Sequence, residues 1–259
     1  MSSGSSSITV EEETYTLSYV HGTLMVIAWM VFASTGILFA RYGRLINIAR
    51  RIQCLGEVIW FQIHRATLCL AALLTLIGFL IILAQAEGQW VDISNGRLFA
   101  HSILGIIIVC CSQIQIWMAI FRCNPNNSRR YIFNWLHRLT GLCAFVLSVP
   151  TIFLIIFVLP SYRTGLITIL SIWSGWVVII VIIFEFIEYR SRKTSILLTE
   201  RRYTYEASGR DRTQDSVLNK VDRVEKENYN TIKMILFIIH FIVALGLSIS
   251  FIVLIWSQE

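Results

Sequence analysis

HGTLMVIAWMVFASTGILFARYGR, residues 21–44, puts a histidine at one end of an apolar run and arginines at the other. The run between His21 and Arg41 matches the about 20 apolar residues needed to cross a hydrocarbon core roughly 30 Å thick. Five more stretches match it, giving expected spans at about 19–40, 58–84, 98–121, 132–159, 165–188 and 233–256. In lipid an isolated span satisfies its backbone polar groups only as a helix, and tilted-strand alternation is absent. The expected fold is all-α: a polytopic membrane protein of six transmembrane helices, the first four enclosing a core.

Composition agrees. The chain is 56% hydrophobic and 15% charged, with mean hydropathy +0.66, more apolar surface than a water-soluble domain can hide. Lys and Arg then set orientation. Residues 1–40 contain neither, whereas the first connection carries Arg41, Arg44, Arg50 and Arg51 and the third carries Arg122, Arg129 and Arg130. A basic run from Arg190 to Lys226 fills the fifth. The second and fourth connections hold only Arg97 and Arg163, so both termini are expected on the non-cytoplasmic face. The net charge of +6 is therefore a topology signal and not a nucleic-acid footprint.

Four parts are expected: a flexible outer tail over 1–18, a membrane core over 19–189, a charged cytoplasmic linker over 190–231, and a sixth span with its tail over 232–259. The linker's second half, 215–229, reads as an exposed helix. The opening MSSGSSS lacks the features of a cleavable leader, so the first span is expected to direct its own insertion. Cys69, Cys110, Cys111 and Cys143 fall in spans and Cys54 and Cys123 on the reducing side, so no structural disulfide is expected. Asn126-Asn127-Ser128 forms a glycosylation acceptor on the face where it should stay bare.

The histidines carry the chemistry. His21, His64, His101 and His137 lie near the ends of four consecutive antiparallel spans, which puts His21 and His101 in an outer layer and His64 and His137 in an inner one. At 1.5 Å per residue the layers are on the order of 15–20 Å apart. A neutral imidazole is a good axial ligand for heme iron, and a four-helix bundle can present two across its core. Gly105 and Gly141 each follow a histidine by four residues on the same helical face, leaving room for a flat macrocycle. No C-x-x-C-H attachment motif occurs, so two non-covalent hemes are expected. An intramembrane histidine is also a candidate proton relay, and that alternative stays open. His240, in the sixth span, reads as a packed residue. Trp29, Trp60, Trp90 and Trp135 read as core or interfacial anchors.

Residues 21–44, WFQIHR (60–65), AHSILG (100–105), FNWLHRLTG (133–141) and the loop FRCNPNNSRR (121–130) resemble the cytochrome b561 membrane domain. The resemblance covers about residues 19–189 and is nearest to the ferric-chelate reductase, or stromal-cell-derived receptor, branch. It implies two b-type hemes, His21 and His101 ligating the outer iron and His64 and His137 the inner. It also implies electron flow from a cytosolic donor, ascorbate, to an outer ferric chelate or monodehydroascorbate. In that branch DOMON and reeler domains precede the core; none is expected in the stretch 1–18 ahead of the first helix. Nor does a lysine precede the second histidine, where Trp60-Phe61-Gln62-Ile63 stands.

Arg65, Arg138, Arg129 and Arg130 are candidate contacts for heme propionates or an anionic donor. No catalytic side chain is assigned. The expected activity is that of a transmembrane ferric reductase, an ascorbate-dependent oxidoreductase of a plasma membrane or endomembrane vesicle, with a homodimer as an admissible assembly. Alternatives are a non-catalytic heme relay serving a separate outer subunit, a receptor-like scaffold, and a proton-coupled transporter.

Overall fold

A computed structural model describes residues 4–43, 46, 53–54, 56–121, 128–207 and 212–258. Arg44, Arg50, Arg51, Arg122, Cys123, Asn126 and Asn127 lie outside the described residues. Among those described, six helices are long and apolar enough to cross a membrane. Helix α1 is one rod in three pieces: Gly4–Val26, a π-helical segment Ile27–Ala33, and Ser34–Tyr42. Then follow α2 (Ile59–Gln85), α3 (Gly96–Ile120), α4 (Arg130–Ile156), α5 (Arg163–Ala207) and α6 (Arg212–Trp256). A two-stranded antiparallel hairpin, β1 (Gln53–Cys54) and β2 (Glu57–Val58), precedes α2. After α2, Glu87 and Gly88 take positive φ (49° and 74°), and the Gly88 amide donates to the Leu83 carbonyl at 3.2 Å, capping the helix before the chain reverses.

Helix α1 is the hub. Its apolar window is 56% buried against 17–28% for the other five, because α2, α4, α5 and α6 all pack on it. One core cluster, Ala28, Trp29, Ala33, Ala71, Ile108 and Ala144, joins α1 to α4, with small residues letting the backbones approach. A second, Val26, Met30, Ile156, Leu170, Trp173 and Phe251 among them, lies between α1, α4, α5 and α6. At the basic end Tyr42 stacks on Phe184 (4.6 Å) and Phe39 on Phe237 (4.0 Å).

Residues from Gly4 onward are helical where a flexible tail to residue 18 was expected. Helices α5 and α6 run through most of the stretch read as a linker, whose second half, 215–229, is helical as expected, with only 208–211 between their ends undescribed. The physical reason is the same in each case. A membrane span supplies the helical nucleus, so adding polar residues at its end costs only propagation. At 45 residues each, α5 and α6 measure about 68 Å, more than twice the hydrocarbon thickness.

Their base is pinned by Glu188. Its carboxylate accepts from Lys233 Nζ at 2.8 Å across to α6 and from Arg192 Nε at 3.0 Å one turn along α5. Lys233 and Glu188 side chains are 3% and 10% exposed. Removing one partner strands the other, so Lys233→Leu is expected to cost about 3 kcal/mol in a detergent thermal-unfolding series. The double variant Glu188→Leu/Lys233→Leu should recover most of that loss.

Candidate cofactor-binding site

His64, His101 and His137 lie one to two turns inside their helices, and His21 lies six residues past Tyr15, where the apolar span of α1 begins. The structure brings them together in two pairs. The rings of His21 and His101 have centroids 6.3 Å apart and planes at 76°; those of His64 and His137 are 6.4 Å apart at 77°. Helices α1 and α3 therefore supply one pair, and α2 and α4 the other. The first pair sits toward the end bearing the N-terminus, the second toward the basic end.

Backbone carbonyls orient three of the rings. His21 Nδ1–H donates to the Gly78 carbonyl at 2.8 Å, His64 Nδ1–H to that of Gly36 at 3.0 Å, and His101 Nδ1–H to that of Thr151 at 2.9 Å. A carbonyl can only accept, so the proton is on Nδ1 and the lone pair on Nε2. That tautomer is the metal-ligating one, with an outer partner that raises the basicity of Nε2. Around His137, Phe133 stacks on the ring (6.0 Å, 7°), and Gln115 of α3 donates to the His137 carbonyl at 3.0 Å and to Thr140.

The pair separation has chemical meaning. A metal ion sits about 2.0 Å from an imidazole nitrogen, itself about 1.1 Å from its ring centre, so two rings sharing one ion in line have centroids about 6.2 Å apart. The centroid separations of both pairs match that distance. Among the described residues no group of three or more His, Cys, Asp or Glu converges, so a chelate built from protein ligands alone is not present there. What the donor set fits is an ion bringing its own equatorial ligands. Gly105, one turn from His101, has nothing within 4 Å of the position a Cβ would take, whereas at Gly141 that position meets Gln115 at 3.5 Å.

Residues 20–158, which contain all four histidines, match the family described as eukaryotic cytochrome b561. The chain belongs to that family. Its relatives point to the ferric-chelate-reductase branch. A Danio rerio protein carrying the ferric-chelate reductase 1 name is 38% identical over 146 residues, 56% of this chain and 24% of the relative. The Drosophila melanogaster homolog is 30% identical over 192 residues, 74% of this chain and 27% of its own. Ferric-chelate reductase 1 of Homo sapiens is 34% identical over 135 residues, 52% of this chain and 22% of its own. This cytochrome b561 chain thus spans about a quarter of the length of the curated relatives it matches. No solved structure matches it.

The arginine candidates lie on the basic face. Arg65 is exposed, donates to Gln62 Oε1 at 2.6 Å and lies 6.0 Å from the Phe61 ring centre; Arg138 is exposed beside His137. Arg130 lies 5.7 Å from the Phe133 ring centre, and the Arg129 carbonyl accepts the Ile132 amide at the start of α4. His240 is fully buried against α1 and not in either pair. The sequence reading missed Gln115 and the three carbonyl acceptors. A polar Gln one layer from an intramembrane histidine was a readable signal; a backbone carbonyl leaves none.

Proposed function

We propose that this chain conducts electrons across a membrane through two b-type hemes, one held by His21 and His101, the other by His64 and His137. The observation that carries the reading is the matched pair separations of 6.3 and 6.4 Å, each the span of one metal ion between two imidazoles. Heme bound there supplies reversible one-electron chemistry. The protein's part is positional. The carbonyls of Gly78, Gly36 and Thr151 fix ring tautomers, and Gly105 keeps space beside His101. With two imidazoles to hold each heme, His21 with His101 and His64 with His137, the protein would offer no further position on the metal to a substrate, so donor and acceptor would exchange electrons at the membrane surfaces.

Along α2, His64 and the carbonyl anchor of His21 are 14 residues apart, about 21 Å, which separates the two levels. The arginine-rich face is cytosolic in this proposal, with both termini outside. The electron enters beside His64 and His137 from an anionic reductant, ascorbate, and leaves beside His21 and His101 to a ferric chelate or monodehydroascorbate. Family membership and the ferric-chelate reductase relatives support electron transfer with a ferric chelate as acceptor.

The deciding experiment is a reduced-minus-oxidised visible spectrum of the purified chain with heme counted per polypeptide and ascorbate as reductant. A colourless, correctly inserted protein made with ample porphyrin ends the proposal. Arg65 and Arg138 flank the inner pair and would steer the donor. Arg65→Ala/Arg138→Ala is expected to slow ascorbate reduction by about tenfold at low salt, with heme content unchanged and the difference fading as ionic strength rises.

A further inference from the structure

The bonds between α1 and α2 are reciprocal: His21 of α1 bonds the Gly78 carbonyl of α2, and His64 of α2 bonds the Gly36 carbonyl of α1. In two antiparallel helices related by a local twofold, the histidine-to-glycine spacing should be equal on both. It is not. From 64 to 78 is 14 residues, and from 21 to 36 is 15.

At about 100° per residue, 14 residues fall about 40° short of whole turns and 15 run about 60° past, so a regular α1 would point the Gly36 carbonyl about 100° away from His64. Between residues 21 and 36, however, lies the π-helical segment Ile27–Ala33. Its i→i+5 bonding takes up about one extra residue without adding a residue's worth of rotation. The surplus and the segment that absorbs it lie on the same stretch of the same helix.

Side chains from outside the histidine helices hold this segment. Trp173 Nε1 of α5 donates to the Met30 carbonyl at 3.1 Å. Ser34 Oγ donates to the same carbonyl at 2.7 Å and lies 3.1 Å from His240 Nε2 of α6. With its one proton given to Met30, Ser34 Oγ accepts from His240 Nε2–H. His240 is 0% exposed, Trp173 1%, and His240 Nδ1 has no hydrogen-bond partner among the described residues. Both donors therefore work on one turn of α1.

We propose that Ile27–Ala33 is a one-residue register correction that lets both axial histidines reach glycine carbonyls, and that His240 and Trp173 are positioning residues that hold it. Its consequence for the hemes rests on the function proposed above; the register itself does not.

Deletions test it. Removing Ile27 leaves 14 residues between His21 and Gly36 and makes a plain α-helix sufficient. Removing Leu73 from α2, which has no surplus, leaves 13 and breaks the match. Register is read without heme by a disulfide trap, Gly43→Cys/Trp60→Cys: an ideal Cβ at residue 43 lies 3.5 Å from the Trp60 Cβ, within disulfide reach. The trap is set in membranes from cells with heme synthesis blocked. The Ile27 deletion is expected to trap like the parent and, with heme supplied, to carry the same heme per chain; the Leu73 deletion should lose both. Equal loss from the two deletions overturns the register correction. An uncoloured parent that still traps as expected overturns only the heme reading.

For the holders, His240→Leu and Trp173→Phe each remove one bond to the turn. Each should lower trap yield by about fivefold, the worth of one hydrogen bond, and the Ile27 deletion should restore it. Yields equal to the parent in both variants would show that the two residues only fill space.

Discussion

His101→Ala is expected to lower heme content from two per chain to one and to abolish electron transfer across vesicles, while ascorbate still reduces the heme that remains. The asymmetry follows from which helix carries what. His101 on α3 and His21 on α1 form one pair; His64 on α2 and His137 on α4 form the other, about 21 Å along the bundle. No histidine serves both. The anchor of His64 is the Gly36 carbonyl, which is untouched by a change on α3. Without the His101 imidazole, His21 would be the one protein ligand left to the proposed heme at that level, and the weakened hold is expected to release it during purification. In the proposed path the two levels act in series, so one missing level would stop transfer to the far side without stopping reduction at the near one. His64→Ala is the mirror case, with ascorbate reduction lost as well. Heme counted by absorbance per polypeptide, beside reduction of an impermeant ferric chelate outside ascorbate-loaded vesicles, distinguishes them. Loss of both hemes in His101→Ala would mean that the levels are not independent, against the two-pair assignment.

The pairing itself was legible from sequence because two regularities suffice for it. Antiparallel spans reverse depth at every crossing, and a histidine near the end of each must then alternate between levels. What sequence could not carry was the partner of each histidine. Gly36 and Gly78 are positions of close helix approach, but their role as acceptors belongs to a carbonyl every residue possesses. The π segment was invisible for a related reason. IAWMVFA is an apolar run like its neighbours, and its extra residue has meaning only once α2 is laid beside it. The extent of α5 was misread from composition: charge from Arg190 onward signals departure from lipid, not the end of a helix; on the α6 side the helix over 215–229 was read, but not its continuity with the sixth span. Glu188 and Lys233, 45 residues apart in sequence, meet because those helices fold back on each other, and local pattern does not report such a contact.

Gly36→Leu is the expected second-largest effect, and it falls on the other level. A Cβ at residue 36 would lie 2.6 Å from Thr67 Oγ1, 2.7 Å from Leu68 Cδ2 and 2.8 Å from Leu68 Cγ. Leu68 can yield, but Thr67 is committed, its hydroxyl 2.7 Å from the Ile63 carbonyl and 3.2 Å from that of His64. Helices α1 and α2 must part, which costs about 1–3 kcal/mol in overpacking and withdraws the carbonyl from His64. Losing that outer-sphere bond should weaken heme binding at the His64/His137 level by about 10–100-fold, leaving the His21/His101 level occupied. Gly105→Val provides the complementary test. Among the described residues nothing outside its own helix backbone stands within 4 Å of a Cβ there, so the heme-free chain should be as stable as the parent. A macrocycle lying beside His101 would meet the new methyl groups, and heme should then be lost from that level alone. Together the variants separate two uses of glycine in one bundle: at Gly36 a side chain would collide with protein, at Gly105 only with the cofactor. Unchanged heme content in Gly105→Val would show that the macrocycle does not lie along that face of α3.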